Sequence, residues 1–462
     1  MNPGARGNWG SKFAFVLAAA GSAVGLGNVW RFPVEVGRNG GAAYVIVYFL
    51  CVLLMGVPVM MAEFSLGRST GKNVLGAFSS LAPRSLWRGV GLLGILTGMA
   101  ILSYYSVVAG WTVGYFIKGA LGQFSQMSDP EAITHMFVSF IGSPANAVGY
   151  HALFMVITMI VVAGGVEKGI ERWCKFLMPT LFGLLILLVI RSVTLEGAGA
   201  GLSFYLHPDF SKLDAGVILS AMGQAFFSLS LGMGAMVTYG SYLSRDDNLF
   251  TSSIFVSLTD SLVAFLAGLA IFPALFAVPG LKPEAGPGLI FMVLPNIFNR
   301  IPLGQIFGAG FFLLLTIAAV TSSISLLEVV VAHFVDDRGW KRKPAVITMG
   351  IGAFILGVPS ALSLGAYKPL GDIVGGKGFL DLFDLVFGHF SLTIGALLLC
   401  LFITFKWGMK AAKGELLQAA PGALKPWMAA VINRIWPILI RWVCPILIGA
   451  IILYLIFTPE AL

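Results

Sequence analysis

Eleven long apolar runs constrain the fold of this chain more than any other feature of its sequence. Each run comes close to the roughly 20 residues that a helix needs to cross the hydrocarbon core of a bilayer. The runs lie near residues 13–36, 42–67, 90–122, 148–165, 176–193, 214–243, 250–279, 304–335, 344–363, 379–405 and 433–458. Because backbone polar groups in lipid must be satisfied within the chain, we predict a helix for every run.

The composition supports a membrane protein. Hydrophobic residues make up 58% of the chain and charged residues only 11%, and the mean hydropathy is +0.91. Soluble domains carry roughly 25% charged residues. We therefore predict an all-α polytopic membrane protein with eleven transmembrane helices. The proline-rich segment 280–300 is expected to be a broken external loop that carries a short helix.

Lysine and arginine are distributed unequally between the two predicted sides of the membrane. The side with the N-terminus and the loops near 68–88, 168–175, 245, 338–343 and 406–425 carries 18 of them, and six lie on the other side. The positive-inside rule then predicts a cytoplasmic N-terminus and an extracytoplasmic C-terminus. The net charge of +8 reflects this topology, so no nucleic-acid partner is expected. We expect a multi-pass protein of the plasma (inner) membrane.

Two of the predicted spans are interrupted by glycine. The first contains AVGLGN at residues 23–28, and the sixth contains SLSLGMGAM at residues 228–236. The two G-x-G cores lie five spans apart, and an odd repeat length gives the two halves opposite topology. Paired, glycine-interrupted helices in an inverted repeat indicate the midplane site of a transporter. The alternative is close helix packing through small residues.

A break in the first helix would also explain why this helix contains polar residues, which are energetically unfavourable within a bilayer. Unwinding near Val24–Gly27 exposes backbone N–H and C=O groups at the depth of the bilayer centre. Free N–H groups at the start of a helix suit a carboxylate. Free C=O groups, together with Asn28, suit Na⁺, a hard cation that prefers oxygen ligands. Irregular backbone at this depth is tolerated only where it is buried in protein or lines a cavity.

Five motifs, in this order along the chain, carry a resemblance to a known family. They are SAVGLGNVWRFP (22–33), NGGAAYVIVY (39–48), EFSLGR (63–68), GQAFFSLSLGMG (223–234) and TSSISLLE (321–328). The chain resembles the neurotransmitter:sodium symporter family, in the prokaryotic amino-acid branch of the bacterial leucine transporter. The resemblance implies two inverted five-helix repeats, residues 1–193 and 214–405, with discontinuous helices 1 and 6. Residues 406–462 would then form a cytoplasmic loop and helix 11.

The resemblance also implies a substrate site. The residues that match it are Ala23, Gly25, Leu26, Gly27, Ile101, Tyr105, Phe227, Ser228, Ser230, Met233, Ser322 and Leu326. The substrate carboxylate would meet the N–H groups of Leu26 and Gly27 and the hydroxyl of Tyr105. The alternative is that these positions are ordinary core residues.

The same matches suggest the class of substrate. Its ammonium group would meet three carbonyl groups and a hydroxyl, those of Ala23, Phe227, Ser228 and Ser230. Gly25 stands where the monoamine branch has an aspartate that pairs with the amine, so an α-amino acid is expected. Met233 and Leu326 are flexible, apolar pocket residues, which favour a neutral, hydrophobic side chain.

Two sodium sites follow from the resemblance, and no organic cofactor does. The first would be formed by the Ala23 carbonyl, Asn28, Ser228, Asp260 and the substrate carboxylate itself. The second would be formed by the carbonyls of Gly21, Val24 and Ala318 and the hydroxyls of Thr321 and Ser322. A ligand shared by ion and substrate couples their affinities reciprocally. The alternative for the Thr-Ser pair is hydrogen bonding to its own helical turn.

Asp260 departs from the family pattern, since the leucine transporter has asparagine there. Animal members of the family use chloride near this position. Tyr48, Gln224 and Ser228 match three of the chloride-binding places, but Ala264 replaces the serine of the fourth. We therefore expect Asp260 to supply the negative charge, and transport to be independent of chloride. The alternative is a buried acid that is paired with a neighbour.

An outer and an inner gate are implied as well. In the family, Arg31 lies just outside the substrate and faces an aspartate of helix 10, which we assign to Asp384, with Asp381 as the alternative. Phe227 and Tyr105 would form a thin lid beneath that pair.

On the other side, Arg6 would pair with Asp336, and Trp9 and Tyr242 would pack around them. The alternative for Asp336 is a solvated loop. An exposed ion pair contributes only about 0–1 kcal/mol, which suits a gate that must open.

These observations predict a transporter and not an enzyme. We expect a sodium-coupled secondary active symporter for neutral, hydrophobic L-amino acids that works by alternating access. Its partners would be a small-molecule amino acid, Na⁺ and the lipid bilayer. The alternative is a non-transporting membrane sensor that binds an amino acid. The preferred amino acid, the Na⁺ stoichiometry, proton antiport and the oligomeric state stay open.

Overall fold

The computed structural model describes residues 9–124, 130–277 and 289–457. We number its main helices in chain order: α1 Lys12–Ala23, α2 Gly27–Arg38, α3 Ala42–Thr70, α4 Val74–Leu81, α5 Arg88–Ala120, α6 Pro130–Gly142, α7 Pro144–Ala163, α8 Val166–Val193, α9 Ala198–Leu206, α10 Ala215–Ser228, α11 Ala235–Gly240, α12 Leu249–Phe276, α13 Leu294–Arg300, α14 Gly304–Asp336, α15 Arg342–Leu362, α16 Phe379–Trp407, α17 Met409–Leu416 and α18 Pro426–Phe457.

The described residues contain nine helices that are long and apolar enough to cross a membrane. The pair α1 and α2 would make a tenth span, bent by 50° at its break. The predicted sixth span, 214–243, consists of α10 and α11, which are each too short to cross a bilayer alone. The all-helical, multi-pass fold is therefore confirmed, whereas the number of eleven spans and the repeat boundaries stay predictions.

Most predicted spans lie within a few residues of the observed helices, and two do not. Helix α8 begins at Val166 and not near 176, and α18 begins at Pro426 and not near 433. Lys168, Arg172 and Lys175 in the segment added to α8 suggested a loop, but long basic side chains can lie along a helix and keep their charge in water. The segment added to α18, 426–432, contains no basic residue and directly follows Lys425. The short helix predicted within 280–300 is α13, and residues 278–288 lie outside the described residues.

The centre of the fold is formed by α5 and α14, both of 33 residues. In its most apolar stretch α14 is 94% buried, and the corresponding value for α5 is 78%. A helix that is apolar on all sides is expected to be surrounded by other helices. The two helices thereby hold Tyr105 and Ser322 against the broken pairs α1–α2 and α10–α11.

The two breaks lie side by side. Helix α1 ends where Val24 turns to an extended conformation, with ψ of 108°. Beyond α10, Ser230 and Gly232 have φ of 53° and 82°. A Cβ atom at position 232 would lie 2.1 Å from the carbonyl oxygen of Leu392, so only glycine fits. The Ser230 hydroxyl donates a hydrogen bond to the Ser22 carbonyl at 3.0 Å, which joins the two breaks.

Candidate functional site

A small cavity lies between the two breaks. Its walls are formed by Ala23, Gly25, Gly27, Ile101, Tyr105, Phe227, Ser230, Met233, Ser322 and Leu326. All ten were predicted substrate residues. The other two lie nearby: the Leu26 N–H donates to the Tyr105 hydroxyl at 3.2 Å, and Ser228 is turned toward Asp260. The structure thus brings the predicted set together from four separate helical segments of the chain.

Gly25 marks the polar end of this cavity. A Cβ atom at this position would lie 2.3 Å from the Ser322 hydroxyl oxygen and 2.9 Å from that of Tyr105. Any larger residue would therefore displace both hydroxyls. Apolar side chains, those of Ile101, Phe227, Met233 and Leu326, supply most of the remaining lining. The cavity measures only about 20 Å³, which is room for about one water molecule. Its lining, polar at one end and mostly apolar elsewhere, is suited to a small amphipathic molecule only after the site has widened.

Carbonyl groups released by the end of α1 are met by hydroxyl groups of α14. The Val24 carbonyl accepts from the Ser322 hydroxyl at 3.2 Å and from the Thr321 hydroxyl at 3.3 Å. The Thr321 oxygen also lies 3.0 Å from the Ala318 carbonyl. Gly21 is close by, since a Cβ atom there would lie 3.3 Å from the Cβ of Thr321. The predicted residues of the second sodium site are therefore clustered.

The alternative interpretation of the Thr-Ser pair, hydrogen bonding to its own helical turn, applies to one of the two residues. Thr321 does bond within its own turn, to the carbonyls of Ile317 and Ala318. Ser322 instead donates across to the carbonyls of Ser22 and Val24. Both hydroxyls thus face a group of backbone oxygens, the ligand type that hard cations prefer.

Asp260 of α12 is fully buried and is surrounded by hydrogen-bond donors. Its Oδ1 accepts from the Asn28 amide at 2.7 Å and from the Ser228 hydroxyl at 3.0 Å. Its Oδ2 accepts from the Tyr48 hydroxyl at 3.1 Å. Gln224 points elsewhere and donates to the Gly27 carbonyl at 2.8 Å. Two of the three side chains matched to the chloride site therefore bind this carboxylate directly.

A second, wide cavity of about 870 Å³ lies beyond the small one and reaches the surface near the exposed Lys212 and Asp214. Tyr105 and Phe227 line both cavities, so these two side chains form the partition between them. The Arg31 guanidinium lies 4.6 Å from the centre of the Phe227 ring. We call the end of the molecule at which the wide cavity opens the Arg31 end.

Arg31 and Asp384, the pair predicted for the outer gate, both line the wide cavity. These two described residues do not form an ion pair with each other, however. The Arg31 Nη2 contacts His389 Nε2 at 3.1 Å. His389 Nε2 also lies 3.5 Å from Asp384 Oδ2. The Asp384 Oδ1 accepts from the Tyr104 hydroxyl at 2.8 Å. The alternative, Asp381, accepts from the Gly378 N–H, next to the start of α16.

The opposite end of the molecule is closed by aromatic packing. The Trp9 indole donates to the Tyr239 carbonyl at 3.2 Å, and its ring packs edge-on against Phe15, Tyr239 and Tyr242. Asp336 is the last residue of α14 and not part of a loop. Arg6 lies outside the described residues, so its pairing with Asp336 stays a prediction.

The structure also shows functional candidates to which the sequence analysis assigned no role. Buried Glu328 of α14 accepts from the Tyr242 hydroxyl at 2.8 Å and pairs with Arg342 of α15. An acid inside an apolar run requires a partner, and this rule could have drawn attention to Glu328. His389 had no comparable signal, because its contact with Asp384 depends on how α16 is wound.

Comparisons with known proteins agree with this geometry. The model of the sodium:neurotransmitter symporter family matches residues 6–127 and 133–458. The sodium-dependent transporter YhdH of Bacillus subtilis, itself uncharacterized, is 41% identical over 449 residues, covering 97% of each chain. An uncharacterized sodium-dependent transporter of Haemophilus influenzae is 34% identical over 462 residues, covering 98% of each chain.

A solved structure shares the fold. The crystal structure of MhsT in complex with L-phenylalanine is 44% identical in sequence, with a TM-score of 0.87, and the match covers 97% of this chain and 99% of that one. Family model, relatives and fold therefore agree over nearly the whole length. The chain belongs to the sodium:neurotransmitter symporter family and is a sodium-dependent, multi-pass membrane transporter.

Proposed function

We propose that this protein is a symporter that couples Na⁺ entry to the uptake of neutral, hydrophobic L-amino acids, without chloride. The observation that carries this proposal is the small cavity between the two helix breaks, polar beside Gly25 and apolar elsewhere. L-phenylalanine, the ligand of MhsT, has this distribution of polar and apolar groups and supports the assignment.

The substrate would bind with its charged groups toward the breaks. Its carboxylate would meet the N–H groups of Leu26 and Gly27 and the Tyr105 hydroxyl, which already lies 3.2 Å from the Leu26 nitrogen. Its ammonium would meet carbonyl groups beside the breaks and the Ser230 hydroxyl. Its side chain would lie among the apolar residues of the cavity, where each buried CH₂ contributes about 0.8 kcal/mol.

Two Na⁺ ions would bind around this substrate as the second cargo. At one site Na⁺ would be held by Asn28, Ser228, Asp260, the Ala23 carbonyl and the substrate carboxylate. At the other it would be held by the carbonyls of Gly21, Val24 and Ala318 and by the oxygens of Thr321 and Ser322. Both hydroxyls would keep their protons and turn them away from the Val24 carbonyl, to which they now donate. Because the carboxylate is a ligand of the first ion, each cargo raises the affinity for the other.

Independence from chloride is supported by the surroundings of Asp260. Hydroxyl and amide donors, which would suit a bound anion, are directed at this carboxylate. A fixed negative charge in that place balances the positive charge of Na⁺, so no diffusible anion is needed.

Transport would proceed by alternating access. The wide cavity leads toward the substrate site at the Arg31 end, whereas Trp9 seals the other end. Helices α1–α3 and α10–α12 would rock against a scaffold of α5, α7, α14 and α15. The distribution of basic residues supports a cytoplasmic Trp9 end and an extracytoplasmic C-terminus, in the inner membrane. The halves 1–193 and 214–405 would be the inverted repeats.

Equilibrium binding tests the substrate class and its coupling to Na⁺. The purified full-length protein is titrated with labelled L-phenylalanine and L-leucine in NaCl, in sodium gluconate and in KCl. Binding in both sodium salts and its loss in KCl are expected. Binding that is equal in KCl would overturn sodium coupling, and binding only in NaCl would overturn chloride independence. No binding of either amino acid would overturn the substrate class.

A further inference from the structure

The wall of the wide cavity contains an unusual stretch of helix. Residues Asp384–Ser391 of α16 are wound as a π-helix. In an α-helix, two residues five apart point roughly 140° away from each other around the axis. The wider π-helical turn, with its i→i+5 hydrogen bonds, brings such residues to the same face. Asp384 and His389 are five apart, and this winding turns both toward the cavity.

Gly388 permits that arrangement. A Cβ atom at this position would lie 2.2 Å from Asp384 Oδ1 and 2.6 Å from the Tyr104 hydroxyl oxygen. The carboxylate therefore folds back over the glycine, next to the ring of His389. We call Arg31, Asp384 and His389 the gate triad.

One nitrogen atom of the gate triad faces both a hydrogen-bond donor and a hydrogen-bond acceptor. His389 Nε2 lies 3.1 Å from Arg31 Nη2 and 3.5 Å from Asp384 Oδ2. A guanidinium group only donates hydrogen bonds, and an ionised carboxylate only accepts them. Nε2 can therefore accept from Arg31 when it carries no proton, or donate to Asp384 when it does, but not both. The shorter distance favours the contact with Arg31 in this structure.

From this geometry we propose that His389 is a positioning residue of the transport cycle that competes with Asp384 for Arg31. The proposal rests on the proposed function as a transporter. An unprotonated Nε2 holds Arg31 away from Asp384 and keeps the wide cavity open. When both ring nitrogens carry protons, the imidazolium and the guanidinium are two cations that face each other, so Arg31 leaves Nε2 and moves to the carboxylate. Because Arg31 lies over Phe227, this movement shifts the Phe227 side of the partition and narrows the wide cavity.

Other titratable groups share the cavity and define the background of any pH effect. Tyr104 of α5 contacts Asp384 directly. The rest lie farther along the cavity wall: Glu35, Arg38, Tyr105, Lys212, Asp214 and Tyr454. None of these is changed by a substitution at His389, so a pH effect that depends on His389 is separable from theirs.

Cysteine accessibility tests the proposal without any substrate. The four native cysteines are buried. Leu219→Cys places a reporter thiol in the wide cavity, and Leu86→Cys, at a site that is 98% exposed, corrects for the pH dependence of the reagent. Labelling rates are measured from pH 8 to pH 5.5, the range in which histidine side chains exchange their proton.

Three proteins are compared on the reporter background. With native His389 the corrected rate falls by about two- to tenfold as pH is lowered, the range expected for one lost hydrogen bond. His389→Gln keeps an acceptor for Arg31, so labelling stays fast at every pH. His389→Leu has no acceptor, so labelling is slow at every pH.

The proposal is overturned if His389→Leu is labelled as fast as the native protein at pH 8, or if the pH dependence persists in both variants. Should His389→Leu fail to fold, the proposal is tested by comparing native His389 with His389→Gln. Labelling that depends on pH equally in these two proteins would overturn it. Uptake of labelled amino acid by the native protein is measured in parallel. A failure of uptake would refute the proposed function, whereas unchanged labelling would refute only the role of His389.

Discussion

The side-chain amide of Asn28 donates a hydrogen bond of 2.7 Å to the carboxylate of Asp260, and its oxygen accepts the N–H of Gly25 at 2.9 Å. A single side chain thus connects the break in the first span to the buried acid of α12. Movement of the break, where the substrate would bind, would therefore be transmitted to the proposed ion site. This connection would give the proposed coupling of Na⁺ and amino acid a structural basis.

Replacing Asp260 by asparagine removes the fixed charge and keeps the size of the side chain. We expect Asp260→Asn either to lose sodium affinity or to acquire a requirement for chloride, because the donors of Tyr48 and Ser228 would then face no anion. Transport is compared in NaCl and in sodium gluconate. Asp209→Asn, at an exposed site, is the control. Unchanged sodium affinity and no effect of chloride would refute the account of Asp260.

Adding a methyl group at Gly25 should abolish substrate binding. The Cβ atom of Gly25→Ala would lie 2.3 Å from the Ser322 hydroxyl oxygen, within the polar end of the cavity. Gly183→Ala is a matched control, since its Cβ would meet no atom within 4 Å. Binding of labelled L-phenylalanine in NaCl is the measurement. Native affinity in Gly25→Ala would show that the cavity is not the substrate site.

The Thr321 hydroxyl is expected to be a sodium ligand. Thr321→Ala should raise the Na⁺ concentration needed for half-maximal binding by about tenfold, equivalent to roughly 1.4 kcal/mol. Thr321→Ser keeps the hydroxyl and should stay near the native value. Sodium titrations of amino-acid binding compare the three proteins, and identical curves would exclude the second site at this position.

The buried pair of Glu328 and Arg342 should matter for stability. Glu328→Gln leaves the Arg342 charge without its carboxylate, and breaking such a buried pair typically costs about 3–5 kcal/mol. The double variant Glu328→Gln, Arg342→Gln should lose less. Thermal unfolding of the detergent-solubilised proteins measures the difference. Equal losses in both variants would show that the charge on Arg342 needs no partner.

How far the sequence could predict this structure depends on the scale of the feature. Long apolar runs predict the spans, and the G-x-G cores predict the breaks, because length and glycine act locally. The start of α18 at Pro426 was not predicted, since Lys425 and Pro426 at its border resemble a loop.

In the site, too, some features could be predicted from the sequence and others depended on tertiary contacts. Its predicted substrate residues, which the resemblance to the symporter family implied, line one small cavity or lie beside it. The position of His389 was not predictable, since α-helical spacing would turn it away from Asp384 and no local pattern indicates a π-helix there. Gln224 likewise turned to the Gly27 carbonyl because a tertiary contact, invisible in the sequence, was available.

Uptake into proteoliposomes tests the central claim most directly. The reconstituted full-length protein is given labelled neutral amino acids under an inward Na⁺ gradient, and then with K⁺ in place of Na⁺. The account predicts accumulation above the external concentration only with the Na⁺ gradient, and its loss in Gly25→Ala but not in Gly183→Ala. Binding without accumulation would contradict the account and favour an amino-acid sensor.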